Sequence, residues 1–234
     1  MSGNRPSRRA GLIGLRPLSP YHQPGFYAQA LAKGQHRDIV GGRWDETGRA
    51  EMTLLLNAGL QPQHHLVDIG AGSLRLGCKA VPYLKAGHYW ATDKSGDLMR
   101  HGHAQELDDP ARLALDHLIE DESFAFPGVP PTITHAIAFA VFTHLPIGQL
   151  AAALPRIHAA FPLLEQLLLT VFLAPEGTLG AHRQPDGVVT HDDRAPYHHR
   201  EGAVMALFST AGFVATRRPD RLPRGQVLFA AQRA

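Results

Sequence analysis

Alternation constrains this chain most: short apolar runs of strand length are separated by stretches with helical spacing through most of its 234 residues. Strands are expected at 64–69, 88–93, 115–119, 133–139 and 166–173, with helices near 74–84, 95–114 and 147–161 between them. Strand and helix alternating in this way imply βαβ crossovers and a mostly parallel sheet. The last part differs. A helical stretch at 199–210 leads into strands at 213–217 and 226–231, joined by a Pro/Arg/Gly loop, a hairpin that adds an antiparallel strand. Residues 1–25 carry Arg, Pro, Gly and Ser without periodicity and read as a flexible or loosely packed arm. Residues 26–62 read as a helical cap or lid, broken at Gly41-Gly42. The remaining 63–234 form the main domain, with a long loop at about 174–198.

At this length one α/β domain is the simplest organisation, and a composition of 44% hydrophobic and 19% charged residues agrees with a packed core. Twenty-three Lys and Arg against 21 Asp and Glu leave +2, too little for the general basicity of a nucleic-acid coat. Cys78 is the only cysteine, which forbids an intrachain disulfide and points to a reducing, cytoplasmic setting. Arg8-Arg9 precedes an apolar run of six residues that Arg16 and Pro17 break, shorter than an export signal needs. No stretch approaches the roughly 20 apolar residues that span a bilayer. Fifteen histidines are the unusual feature, because their charge rises in mild acid.

The chemistry concentrates at Val67-Asp68-Ile69-Gly70-Ala71-Gly72-Ser73-Leu74-Arg75, where the first strand ends and a helix opens. Open α/β sheets bind ligands beyond the carboxyl ends of their strands, and glycines let the backbone turn sharply and approach a ligand. A second acid, Asp93, ends the next strand 25 residues after Asp68, placed to accept both hydroxyls of a ribose. Together these indicate a nucleoside cofactor. A dinucleotide fingerprint needs glycine at position 75, which is Arg, so hydride-transfer cofactors are disfavoured. No phosphate loop ending in Gly-Lys-Ser/Thr is present.

On these residues the chain resembles the class I S-adenosylmethionine-dependent methyltransferases over roughly residues 39–231. Residues 67–72 match their first motif, Asp93 their ribose-binding acid, Glu120-Asp121-Glu122 the acidic stretch near adenine, and residues 139–146 the segment bordering the transferable methyl. The pattern around Arg43-Trp44-Asp45, Gly72-Ser73-Leu74-Arg75 and Pro223-Arg224-Gly225-Gln226 is similar to a bacterial subgroup of small methyltransferases with undefined acceptors. His135 stands where the family often has an acid. The resemblance implies a Rossmann-like seven-stranded sheet, six strands parallel and one antiparallel, with helices on both faces. It implies cofactor contacts from Trp44, Asp68, Gly70, Ala71, Gly72, Arg75, Asp93, Lys94, Asp121, Glu122, Ala140 and Phe142. It implies S-adenosylmethionine as donor, S-adenosylhomocysteine as product, no metal, and methyl transfer to O or N of a small molecule such as a natural product.

Several residues admit two readings. Trp44 either closes over the cofactor or anchors its helix; Arg75 either binds a carboxylate bidentately or bridges to Asp68 or Asp45; Asp121 either faces adenine or belongs to a solvated acidic turn. For a hydroxyl acceptor a base is needed, and His144, His191, His198 and His199 are the candidates. The His/Asp run at 191–199 matches no recognised zinc spacing. Nucleic acid is disfavoured as acceptor because Asp/Asn-Pro-Pro-Tyr/Phe is missing after the fourth strand. A homodimer is compatible with the sequence. Two other functions share these motifs less well: a cofactor-binding sensor or scaffold without methyl transfer, and an NAD(P)-dependent oxidoreductase.

Overall fold

The computed structural model describes residues 19–234. The Arg8-Arg9 pair and residues 1–18 of the expected arm lie outside the described residues. Residues 19–25 of that arm hold a 3₁₀ turn at Pro20–His22, with Ser19 buried, Tyr21 and His22 half-buried and the other four exposed.

The elements in chain order are α1 (Phe26–Ala32), α2 (Trp44–Asn57), β1 (Leu66–Ile69), α3 (Gly77–Tyr83), β2 (Tyr89–Asp93), α4 (Gly96–Glu106), β3 (Leu118–Glu120), β4 (His135–Ala138) and α5 (Ile147–Ala160). They continue with β5 (Gln166–Leu173), β6 (Ala181–Arg183), β7 (Val189–His191), β8 (His198–His199), α6 (Glu201–Thr210), β9 (Phe213–Arg217) and β10 (Val227–Arg233). The sheet runs β3-β2-β1-β4-β5-β10-β9. Pairing is parallel from β3 through β5, with Val67 opposite both Trp90 and Ala136, and β10 is antiparallel to β5 and β9. The expected arrangement of one antiparallel strand among parallel ones is therefore present.

The strand count differs slightly. β8 pairs with the end of β5, Phe172 opposite His198, which makes the sheet eight-stranded, and β6 and β7 form a separate two-stranded ribbon. The expected loop at 174–198 thus contains a hairpin. Its strands, AHR and VTH, are too short and too mixed in polarity to show a period of two.

Side-chain direction explains the layers. β1, β4 and most of β5 are buried on both faces, as parallel strands covered by helices must be. Val67 and Ile69 join a cluster with Leu150, Leu154 and Ile157 of α5 and with Val204 and Phe208 of α6. Leu66 joins the opposite cluster with Leu54 and Leu55 of α2, Ala80 and Val81 of α3 and Met99 of α4. The buried residues of α2 fall at 44, 47, 48, 51, 54 and 55, one helical stripe. Five histidines, His64, His65, His88, His117 and His135, gather at the amino-terminal ends of β1 to β4. His64 stacks on His135 with ring centroids 4.5 Å apart, His65 on His88 at 3.9 Å, and His117 on Trp90 at 3.6 Å. No helix of the described residues is long and apolar enough to cross a membrane.

Candidate active site

Parallel register places the turn after β1 beside the end of β2, since Ile69 lies opposite Thr92. Gly70 and Gly72 have φ of 75° and 57°, the left-handed region that favours glycine. Neither position has room for a side chain: a Cβ at 70 would lie 2.4 Å from Val141 Cγ2, and one at 72 would lie 2.6 Å from Val40 Cγ1. The Gly70 and Ala71 amides donate to Thr92 O at 2.7 and 3.0 Å. The Gly72 amide donates to Asp93 Oδ2 and the Ser95 amide to Asp93 Oδ1, both at 2.9 Å. Turn and acid are thus held as one unit.

That unit forms one wall of a cavity of about 660 Å³, within the roughly 300–1,000 Å³ of small-molecule sites. Of the residues expected on the cofactor, Asp68, Gly70, Ala71, Gly72, Arg75, Asp93, Lys94, Asp121, Glu122 and Ala140 line it, and so does His144. Asp68 is buried and accepts the Tyr89 hydroxyl at 2.7 Å. Burial first, then the neighbouring Glu51 charge, pushes its carboxyl up to about 7. Asp121 is committed to its own loop: Oδ1 accepts the Ser123 amide and hydroxyl, and Oδ2 the Phe126 amide. Lys94 and Glu122 pair at 2.5 Å.

Other expected residues stand elsewhere. Trp44 is nine-tenths buried away from the cavity lining, its ring 6.3 Å from that of His36 and beneath the Arg37 guanidinium, so it anchors α2 and the segment before it. Phe142 is fully buried against Phe124, a core residue behind the wall that Ala140 and Val141 present. His191, His198 and His199 do not reach the lining. His191 lies half-buried in β7 of the separate ribbon, while β8 adds to the sheet and makes packing groups of the other two rings: His198 Nδ1 is 3.0 Å from Thr190 Oγ1 and His199 Nε2 is 3.2 Å from Phe142 O. Arg75 bridges neither Asp68 nor Asp45. Its Nη2 binds Glu51 Oε1 at 2.5 Å, and Asp45 pairs with Lys79.

The residues not foreseen come from a strap over residues 36–41, whose backbone carbonyls are fastened one after another. Ser73 Oγ donates to His36 O at 2.8 Å, Tyr21 Oη to Ile39 O at 3.0 Å, Arg75 Nη1 to Val40 O at 2.6 Å and Arg224 Nη2 to Gly41 O at 2.6 Å. Ile39, Val40 and Gly41 of the strap line the cavity with Tyr21, His22 and Tyr27, and Val40 packs against Gly72 of the turn. The only signals in the sequence were the Gly41-Gly42 and Pro223-Arg224-Gly225-Gln226 motifs; Tyr21 carried none. Gln226 accepts from Thr170 Oγ1, which itself accepts the amide of Ala140, a residue held at φ 59°.

His144 faces Tyr21 edge-on, ring centroids 4.9 Å apart. Burial, assisted by the Arg224 charge, lowers its imidazole to about 4. Among the described residues no group hydrogen-bonds its ring nitrogens, and no cluster of three or more His, Cys, Asp or Glu is placed to hold a metal ion. A fixed acid, side-chain-free backbone at the turn and the imidazoles of His22 and His144 suit a nucleoside with an elongated tail and a second molecule beside it.

No protein-family model matches the chain, and no curated protein matches it in sequence. Solved structures do. The chain is similar to magnesium protoporphyrin IX methyltransferase from Synechocystis PCC 6803 with bound S-adenosylmethionine, with TM-score 0.60, 16% identity and coverage of 92% of this chain and 94% of that one. It is similar to 1,6-didemethyltoxoflavin-N1-methyltransferase from Burkholderia thailandensis with S-adenosylhomocysteine bound, with TM-score 0.58, 20% identity and 91% of each chain covered. An amino pentose methyltransferase from Micromonospora echinaspora matches with TM-score 0.59 and 15% identity, over 89% of this chain and 97% of that one. The chain therefore has the fold of the class I S-adenosylmethionine-dependent methyltransferases.

Proposed function

We propose that this protein transfers a methyl group from S-adenosylmethionine to an oxygen or nitrogen of a small molecule, in a reducing, cytoplasmic setting. The observation that carries the reading is the locked pair of Gly72 and Asp93 in the wall of the large cavity. Each oxygen of the Asp93 carboxylate accepts one amide here, and a carboxylate has about four acceptor sites, so capacity remains for a ribose diol. Gly70 and Gly72 offer bare backbone to the methionine part, while Lys94, Asp121 and Glu122 border the adenine end. The donor, when bound, supplies an electrophilic methyl: its S–C bond breaks, a C–O or C–N bond forms on the acceptor, S-adenosylhomocysteine remains, and the acceptor's proton leaves to a base.

The chain's own part is orientation and proton removal. Holding two molecules in one enclosed site converts a bimolecular encounter into an oriented one. His144 is the base the geometry supports, since it alone of the four candidate histidines reaches the cavity and its imidazole is neutral near pH 7. Asp93→Ala tests the reading by calorimetry with S-adenosylhomocysteine. The loss of hydrogen bonds to a charged acceptor, worth about 1.5–3 kcal/mol, predicts affinity weakened by roughly 10- to 100-fold. Unchanged affinity rejects the ribose role, and failure of the wild-type chain to bind rejects the methyltransferase. Accumulation of S-adenosylhomocysteine with an acceptor separates transfer from mere binding.

A further inference from the structure

Charge is divided unevenly within the cavity. Its carboxylates, Glu51, Asp68, Asp93, Asp121 and Glu122, lie on α2, in β1, at the end of β2 and in the acidic stretch after β3, and each already has a hydrogen-bonding partner. Around His144 the lining includes Tyr21, its ring 4.9 Å away, together with Tyr27, Ile39, Leu145 and Phe172, none of them a carboxylate, although the Asp93 charge reaches both tyrosines. It does contain a cation. Arg224 lines the cavity, forms no salt bridge with any described residue, and uses one of its five N–H donors on Gly41 O. Its charge acts on both Tyr21 and His144, so this exposed guanidinium stands at the rim of the cavity within electrostatic reach of the base.

The backbone at Arg224 is also unusual. Its φ is 66°, a conformation that costs a non-glycine residue about 1–3 kcal/mol and that concentrates at ligand-binding positions. Gly225, which follows, is left-handed as well at φ 75°, so two successive residues turn here and the first of them carries the guanidinium. Ring walls beside an unneutralised guanidinium match a flat apolar body with an anionic end, and guanidinium geometry matches a carboxylate bidentately. The geometry points to an acceptor that is an aromatic compound bearing a carboxylate, with Arg224 holding the carboxylate and the rings of Tyr21, Tyr27 and Phe172 flanking the aromatic body. This assignment rests on the methyltransferase reading and names the substrate class of that same site.

Calorimetry on the full chain saturated with S-adenosylhomocysteine tests it, using 4-hydroxybenzoate and its uncharged analogue 4-hydroxybenzamide. The carboxylate is expected to bind about tenfold or more tightly than the amide. Arg224→Gln is expected to remove that preference, and Arg224→Lys to retain part of it through charge alone. Equal binding of the two probes, no binding of either, or a preference that survives in a folded Arg224→Gln overturns the inference while leaving the methyltransferase intact, because donor-product binding is measured first. Failure at that first step removes the methyltransferase reading, and this inference with it. Should Arg224→Gln not fold once Gly41 O loses its donor, the preference of the wild-type chain for carboxylate over amide decides.

Discussion

Four histidines looked equivalent as bases in the linear chain, and packing separates them. His198 and His199 sit in a strand so short that nothing in its composition announces it, whereas His144 follows a positive-φ alanine that turns the chain back over the cavity. The glycine turn and Asp93 were legible because their function demands specific residue types. The strap's bonds were not, because they use backbone carbonyls, which every residue has. Burial of His144 leads to a definite expectation: its ring resonances titrate near pH 4 rather than near 6.5, and a midpoint near 6.5 would contradict the enclosed setting described for it. His144→Ala is expected to reduce turnover by roughly 10²-fold with a hydroxyl acceptor, the lower end for a base because an imidazole that titrates near pH 4 accepts a proton weakly, while calorimetric affinity for S-adenosylhomocysteine falls far less.

Helices and strands were read well where apolar residues recur in one period. β5 and β9 match the expected bounds, and β3 differs because a 3₁₀ turn at Leu115–His117 takes the first residues of its expected run. The β6–β7 ribbon escaped for want of any period. How elements meet is a further matter, and the contact between α4 and the glycine turn is a case where the backbone itself packs. A Cβ on Gly102 would lie 2.1 Å from Ser73 O, a carbonyl fixed between the turn and the strap. Gly102→Ala must therefore push α4 away from the turn. The expected cost is about 1–3 kcal/mol, read as a lower urea midpoint. An unchanged midpoint would mean that the helix shifts freely and is not needed to support the site.

Across the molecule as a whole, acid acts mainly through histidine. Burial is the leading cause that lowers His22, His65, His135, His144, His158, His198 and His199 below their usual value, with His135 and His144 at about 4. For each, the unfolded chain takes up a proton more readily than the folded one, so stability is full above about pH 6.5 and declines toward pH 4. Burial raises three carboxylates, Glu51, Asp68 and Asp93, and these act in the opposite direction. The histidines outnumber them, so the urea midpoint is expected to fall between about pH 7.5 and pH 5; a constant or rising midpoint would show that the carboxylates prevail. The strap has a consequence on the same scale. Segments distant in the chain, at Tyr21, Ser73, Arg75 and Arg224, all hold one short length of backbone against the mouth of the cavity. Loosening these clasps is therefore expected to shorten the dwell time of the spent donor, and with it to change the pace of repeated cycles, although the clasped stretch touches none of the reacting atoms.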